Sequence, residues 1–540
     1  MEYRKIDLPA LNSYASDYIK GKIKDEKFIQ YNWLNEDDIK ERVEWLESRS
    51  YPRKEISAYI ESFMDKFGIS DESYKNIKAL REGALVVIGG QQAGLLTGPL
   101  YSIHKVISVV KLAKEQTEKL GKTVVPVFWI AGEDHDYQEV NHVYTTTESG
   151  MQKNIYPEKQ LSKKIVSDIT IDHQIAKEWI EEIFTELGET DRSNLLIEWL
   201  DHAIEQSMTI TDFFAFLIND LFNDTGLLMV DSGDPEFRKL AKPYYQLFAK
   251  ESKEISSAVL SQQKLLRQKG YKPIIDINQE CANLFYYDDE NRILLEREKD
   301  TDYIVGKSGG IRLTGGDLEE LISTRPECIC TNVVSRPLLQ EKMFPVLGFI
   351  AGPGEIAYWS EIKPAFNLLG EKMPPIWPRL SFTLLEGSIL RLMNEFGLDL
   401  EDVLRKGCLN ERDSFIEQLH ERIPDDYQQI KEQLLESHKD WEAKILETDK
   451  GLQPLFEKNR QLILDQLEFL QKKIEIQVER RHQETIAKYN RIENMIHPFG
   501  GLQERIWHPF YFFNQYGASW IDELLKEPFE YNGTHYVVYI

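Results

Sequence analysis

Residues 84–105 read ALVVIGGQQAGLLTGPLYSIHK, and the fold follows from this stretch. Ala84 to Ile88 is a short apolar run ending in Gly89-Gly90, the pattern of a strand buried on both faces. From Pro99 to Lys114 the apolar period becomes helical, with Ile103, Val106, Val110 and Ala113 on one stripe. The next apolar run, Thr123 to Ala131, completes a strand, helix, strand unit, which implies parallel strands and a right-handed crossover. Further along, Leu227 to Val230 runs into Asp231-Ser232-Gly233-Asp234, Cys328 to Val334 into Ser335-Arg336, and Val346 to Ala351 into Gly352-Pro353-Gly354-Glu355. Because an open parallel sheet presents the carboxyl ends of its strands to the ligand crevice, these five endings are the expected walls of a site.

The expected class is therefore α/β. A Rossmann-like parallel-sheet core is expected over residues 83–395, after an N-terminal helical lead-in at 1–82. Connecting insertions at about 145–220 and 235–325 are too long for simple loops. Residues 411–497 hold one Gly and two Pro and break near Thr448-Asp449-Lys450-Gly451. Tyr427, Ile430, Leu434, Trp441 and Ile445 keep one stripe before that break, and Phe456, Ile463, Leu467, Leu470, Ile474 and Val478 keep another after it. Two long helices joined by a tight turn follow, so 396–497 reads as a helical linker with an antiparallel coiled-coil hairpin. At 1.5 Å per residue a second helix of about 40 residues spans roughly 60 Å, outrunning a compact domain, so its far end is expected to meet a second copy of the chain. Residues 498–540 turn aromatic and return to the core.

Charge narrows the function classes. Sixty-five basic against 90 acidic residues in 540 leave a net charge of −25, which repels phosphate backbones and anionic lipid. No nucleic acid and no membrane are expected as partners. No run approaches about 18 apolar residues and the first residues hold acids, so a cytoplasmic location is the expectation. Cys281, Cys328, Cys330 and Cys408 are too scattered for a disulfide framework and read as structural thiols.

Three segments carry candidate chemistry. The first holds Gln91, Gln92, Gly94, Thr97, Gly98, Tyr101 and His104, a Gly-rich turn opening a helix whose amides can approach an anion. It is neither GxGxxG nor GxxxxGK[ST], which disfavours standard kinase and ATPase phosphate chemistry. His104 is an acid-base candidate there, with packing on the helix face as its competing role. The second is WIAGEDHDYQEVNH at 129–142, where Asp134 and His135 are acid-base candidates and Trp129 and Asn141 line a polar pocket. His135 and His142 lack HxxxH spacing, so no metal is expected, although a metal-dependent hydrolase built on this acidic loop is the runner-up to the function given below. A non-enzymatic coiled-coil adaptor is the third class. The last segment supplies positive charge: Ser335-Arg336-Pro337, where Pro337 biases Arg336 towards an extended turn and its guanidinium can hold a carboxylate two-pronged, and Arg379, with Gly354 and Tyr358 on the rim.

GGQQAGLLTGPLYSIHK, WIAGEDHDYQEVNHV, NVVSRP and AGPGEIAYW together resemble the cysteine-adding BshC family of bacillithiol biosynthesis over essentially the whole chain. The resemblance implies a ligase that joins L-cysteine to glucosaminyl malate through an amide bond, the last step of making that low-molecular-weight thiol. It also implies a core similar to class I aminoacyl-tRNA synthetases and a coiled coil that makes a homodimer. The Thr97 to His104 segment stands where those synthetases carry their HIGH motif, with one His in place of two, and no KMSKS motif is present. ATP or ADP is the implied cosubstrate. Its candidate residues are Arg379, Asn490, Arg491, Arg505 and Trp507, a set of cations, amide and ring for which packing at a helix end is the competing reading. Arg336 with Gln91 or Gln92 would hold the malate carboxylates.

Overall fold

The computed structural model describes every residue except 11, 148–149, 159–161, 422 and 424–425. Five parallel strands form the central sheet, in the spatial order Ile376–Pro378, Val346–Ala351, Leu85–Gln91, Val124–Ile130, Leu228–Asp231. Every residue of Val124–Ile130 is buried, as is most of Leu85–Gln91, which is why these runs show no polar alternation. The helix Tyr101–Leu120 crosses between them and stops at Gly121, whose φ of 62° closes the helix end. From Leu85–Gln91 the chain builds outward on one side, then returns to add Val346–Ala351 on the other. The switch of direction lies between those two strands, where ligand crevices form in sheets of this kind. At Gly90 a Cβ would come 2.6 Å from the Trp129 carbonyl oxygen, so the strands approach this closely only because no side chain is there.

A second sheet is antiparallel, in the order Arg312–Thr314, Tyr303–Gly306, Arg292–Arg297, Cys281–Tyr287, Ile329–Thr331. This corrects the expected crevice strand at Cys328 to Val334. Only Ile329–Thr331 is strand, and it pairs antiparallel with Cys281–Tyr287. Its three residues are all buried, so the apolar run looked like a central strand; the neighbour it pairs with lies outside any local pattern. A third sheet, Tyr3–Ile6, His535–Tyr539 and Ser381–Leu385, ties the two chain ends to the same body.

The chain divides into two units, one of residues 1–147, 151–384 and 503–540, the other of 148–150 and 385–502. In the second unit Tyr427–Leu446 and Gln453–Arg481 form a helical hairpin through the turn Lys450–Leu452. Trp441 and His438 meet Phe456 edge-on across it, with ring centroids 5.2 and 5.5 Å apart. The expected continuous helix of about 40 residues is interrupted at His482, after which Gln483–Ile496 carries on. Among the described residues no helix is long and apolar enough to cross a membrane.

Candidate active site

A cleft of about 350 Å³ opens at the carboxyl ends of the central strands. Gly90, Gln91 and Gln92 enter it from the first strand, Trp129 and Asp134 from the second, Gly352 to Glu355 and Tyr358 from the fourth, and Arg379 from the fifth. Arg336 comes from the helix Ser335–Met343 and Arg505 from the returning C-terminal segment.

Four cations line this cleft, and three of them are held by acids. Arg336 donates from Nε to Glu133 at 2.9 Å and from Nη2 and Nη1 to the two Asp134 oxygens at 2.5 and 3.3 Å. Glu133 is itself fixed by Thr331, whose N–H and hydroxyl donate to it at 2.7 and 2.6 Å. Lys105 donates to Glu355 at 2.5 Å and to the Gly90 carbonyl at 2.7 Å. Arg379 donates to both oxygens of Glu504, at 2.9 and 2.5 Å. Among the described residues only Arg505 lines the cleft as a cation without an ion pair.

These pairings set the protonation states. Burial alone would push the Asp134 carboxyl up, but the Arg336 guanidinium, then that of Arg292, overrides it and holds the acid below its ordinary range. Asp134 is therefore a fixed carboxylate rather than a proton shuttle near pH 7. Burial lowers the Lys105 ammonium, with Glu355 opposing the shift. The His135 ring is held down by burial and then by Arg292, whose Nη1 lies 3.1 Å from its Nδ1. A guanidinium donating to Nδ1 leaves the proton of a neutral ring on Nε2, so His135 is a donor in this arrangement and not a base. That guanidinium also opposes any metal cation at His135.

Several expectations need correction. His104 does not reach the cleft. It is fully buried, its Nδ1 is 2.9 Å from Glu504, and its ring meets Phe382 edge-on, because position 104 shares the inner helix face with Leu100. The Gly-rich turn is not an anion cradle: the amides of Gly94, Gly98 and Leu100 donate to the carbonyls of Gln92, Leu95 and Trp507. Thr97 is buried there with φ 66°, a strained conformation for a β-branched residue. Arg336 lies not in an extended turn but in the first helical turn, where Pro337 is tolerated because the orphan amide it would supply has no helical partner.

Other candidates prove structural. Ser335 is buried and donates to the Asn283 carbonyl at 2.6 Å. Asn141 is buried, and its backbone joins Tyr137 and Tyr156. Trp507 is fully buried and packs on Tyr511 with centroids 4.4 Å apart, so it offers no open face to a base. Asn490 accepts from Arg412 at 2.8 Å and Arg491 donates to Ser388 at 3.0 Å, both within the second unit. Gln91, Gln92, Tyr101, Trp129, Asp134, Gly354, Tyr358, Arg336 and Arg379 do line the cleft. Gln92 also donates to Glu139 at 3.0 Å.

Sequence reasoning missed Lys105, and a signal for it existed. Residues four apart share a helix face, so Tyr101 and Lys105 go together while His104 goes with Leu100. The acids that neutralise Arg336 and Arg379 carried no such signal, since Glu133 and Glu504 are 203 and 125 residues away from them. Chemically, the cleft is a cation-lined floor under a helix start, Pro353–Leu368, in which Gly354 has no atom within 4 Å of where a Cβ would lie. Such a surface can stabilise negative charge that develops on a bound acyl group.

Residues 1–380 match the family described as "Bacillithiol biosynthesis BshC, N-terminal Rossmann-like domain", and residues 382–540 match its C-terminal coiled-coil domain. A protein of Geobacillus sp. (strain WCH70) named "Putative cysteine ligase BshC" is 41% identical over all of both chains. Proteins of the same name from Geobacillus thermodenitrificans and Bacillus cereus are 39% and 37% identical, again end to end. A solved structure of Campylobacter jejuni described as a "putative arginyl t-RNA synthetase" has 88% of this chain and 97% of its own covered, at 13% identity and a TM-score of 0.23.

Proposed function

The chain belongs to the BshC family of bacillithiol biosynthesis, and from that premise we propose that it is a ligase forming the amide bond between L-cysteine and glucosaminyl malate, the last step in making that thiol. The observation that carries the reading is the cleft at the strand ends, with Lys105, Arg336, Arg379 and Arg505 on its walls. Amide formation joins a carboxylate to an amine, and a free carboxylate is not electrophilic. The cysteine carboxyl must first be converted to an activated acyl group, for which ATP is the cosubstrate we infer on chemical grounds alone. The residues first singled out for a nucleotide do not make a site: Trp507 is closed, and Arg379 is spent on Glu504. No step is therefore assigned to them.

In the bond-forming step the substrate amine attacks the acyl carbon, the C–N bond forms, and the carbonyl oxygen becomes an oxyanion. The activating group then leaves with the electrons of its bond to carbon, and the nitrogen passes its proton to water. Lys105 is the group we place under that oxyanion. It is buried, fixed by Gly90 and Glu355, and needs no reorganisation as charge appears. Arg336, locked by Asp134 and Glu133, shapes the opposite wall. We also infer that the coiled coil joins two copies of the chain.

The test is direct. Purified protein is incubated with cysteine, glucosaminyl malate and ATP, and the condensed thiol is sought by mass spectrometry, with ATP omitted as the control. Product that forms only with ATP is expected. Folded protein that binds both substrates and yields no product with ATP would overturn the reading.

A further inference from the structure

The cleft wall that holds Lys105 carries a second polar group. Tyr101 opens the helix Tyr101–Leu120 and Lys105 follows it by four residues, so the two share one helix face, with Cβ atoms about 5–6 Å apart. Both line the cleft. Helical side chains lean towards the start of their helix, which carries the Tyr101 ring out over the strand ends, where it also borders a neighbouring cavity of about 320 Å³.

The Tyr101 hydroxyl is unengaged. It has no hydrogen-bond partner among the described residues, and it is not sealed inside the protein as the unpartnered hydroxyls of Tyr14, Tyr31, Tyr51 and Tyr245 are. Gln92 donates to Glu139, and Arg336 and Arg379 are held by acids, so Tyr101 is a cleft donor that the protein leaves to a ligand. Burial holds its phenol above the ordinary range; Arg505 and then Arg379 pull it down, while Glu139 and Glu355 push it up. A phenol held up keeps its proton near pH 7 and is a donor rather than a base. Arg379 and Glu355 also act on the Lys105 ammonium, so hydroxyl and ammonium lie within reach of the same pair of charges. Tyr358 differs: after Glu355, the charges acting on its phenol are those of Arg336 and Asp134 on the opposite wall.

We propose that Tyr101 is a catalytic residue, whose hydroxyl joins the Lys105 ammonium in donating hydrogen bonds to the oxyanion of the amide-forming step. This rests on the ligase reading above and adds a second donor to it. As the substrate amine attacks, the C–N bond forms and the π electrons of the acyl C=O move onto oxygen. Neither donor gives up its proton. The C=O bond re-forms as the activating group, derived from ATP, leaves with the electrons of its bond to carbon, and the nitrogen releases its proton to water. A ground-state carbonyl accepts weakly and an oxyanion strongly, so both donors act on the rate rather than on substrate binding.

Tyr101→Phe removes the hydroxyl and keeps the ring. Because no protein group loses a partner, the melting temperature should equal that of wild type. The rate of the chemical step, measured in a single turnover with cysteine, glucosaminyl malate and ATP, should fall at least about tenfold. Calorimetric titration should find the affinity for glucosaminyl malate within about twofold of wild type, as for a contact made only in the transition state. A rate within about threefold of wild type would overturn the assignment, as would a loss confined to affinity. A lowered melting temperature would overturn it too, by giving the hydroxyl a structural role. A phosphonamidate analogue of the new amide, whose anionic oxygen stands in for the oxyanion, supplies a readout without turnover. Wild type should bind it at least about tenfold more tightly than Tyr101→Phe does, and equal affinities would sink the second donor. Should wild type make no product with ATP, the ligase reading fails and takes this assignment with it; product from wild type with an indifferent Tyr101→Phe sinks the assignment alone.

Discussion

Lys105 and Arg336 are both cations in one cleft, and their surroundings give them different work. Lys105 donates to one carboxylate and one carbonyl, and its third partner, the Gln91 amide oxygen, stands at 3.5 Å, so that donor is the one a ligand can take over. Lys105→Met keeps the length of the side chain and removes the charge. Loss of one pre-organised electrostatic donor lowers kcat by about 10²–10³-fold, and that is the expected effect, with thermal unfolding run in parallel to show that the variant is folded. Activity within about threefold of wild type would remove Lys105 from the mechanism. Arg336, in contrast, is shared between two acids and is only 19% exposed. Arg336→Ala leaves Glu133 without a counter-charge and Asp134 with Arg292 alone at 3.5 Å, so the expected result is a stability loss of about 3–5 kcal/mol, as when one partner of a buried pair is removed. A variant as stable as wild type that has lost malate binding would restore the two-pronged clamp that the sequence suggested. The sequence made Arg336 attractive because it showed one cation after an apolar run; the acids that occupy it were not adjacent and could not be weighed.

At the scale of elements, the strand ends are where pattern and structure agree best and where the disagreement is most instructive. Leu85–Gln91 and Val124–Ile130 were legible because short apolar runs rich in Val and Ile, bounded by turn residues, have few other homes. Ile329–Thr331 has the same burial and belongs to another sheet, since burial is local to a run while pairing is not. His104 was misplaced by a comparable margin: the helix was legible, but its inner face was decided by Glu504, Arg379 and Phe382 from distant segments. The end of the strand Leu228–Asp231 carries a prediction of its own. Burial raises the Asp231 carboxyl to about 7 from an ordinary 3.8, although Ser167 and the Gly233 amide donate to it. Between those two values the folded chain keeps a proton that the unfolded chain has released, so stability falls as pH rises through the window. Asp231→Asn preserves the shape and cannot ionise. It should match wild type near pH 4 and exceed it above pH 7 by roughly 3–5 kcal/mol, seen as a melting-temperature gap that widens with pH. A gap of equal size at pH 5 and pH 8 would show that this carboxyl does not titrate as its burial implies.

At the scale of the whole molecule, the coiled-coil unit has more apolar surface than its own hairpin uses. Phe456 is buried against Trp441 and His438, so the intramolecular seam is accounted for. Leu455, Leu462, Phe469 and Ile476 lie on the same helix seven residues apart and are 63%, 51%, 55% and 42% exposed. A seven-residue repeat keeps its residues on one side of a helix, and a single exposed apolar stripe that long is the kind of surface a second copy covers. The net charge of −25 opposes association at long range, so the stripe must bring enough apolar burial to prevail, and added salt should tighten the dimer by screening the repulsion. Leu462→Asp with Phe469→Asp places two charges in the stripe without touching Phe456 or its partners. Light scattering should give twice the chain mass for wild type and the chain mass for the double variant, with helical content unchanged by circular dichroism. The Leu467→Asp, Leu470→Asp pair probes the neighbouring face, where Leu467 is half-buried and Leu470 exposed, and its effect should be mixed with loss of the hairpin itself. Wild type that scatters as a monomer at micromolar concentration in both low and high salt would show that the stripe is solvated and that the chain works alone.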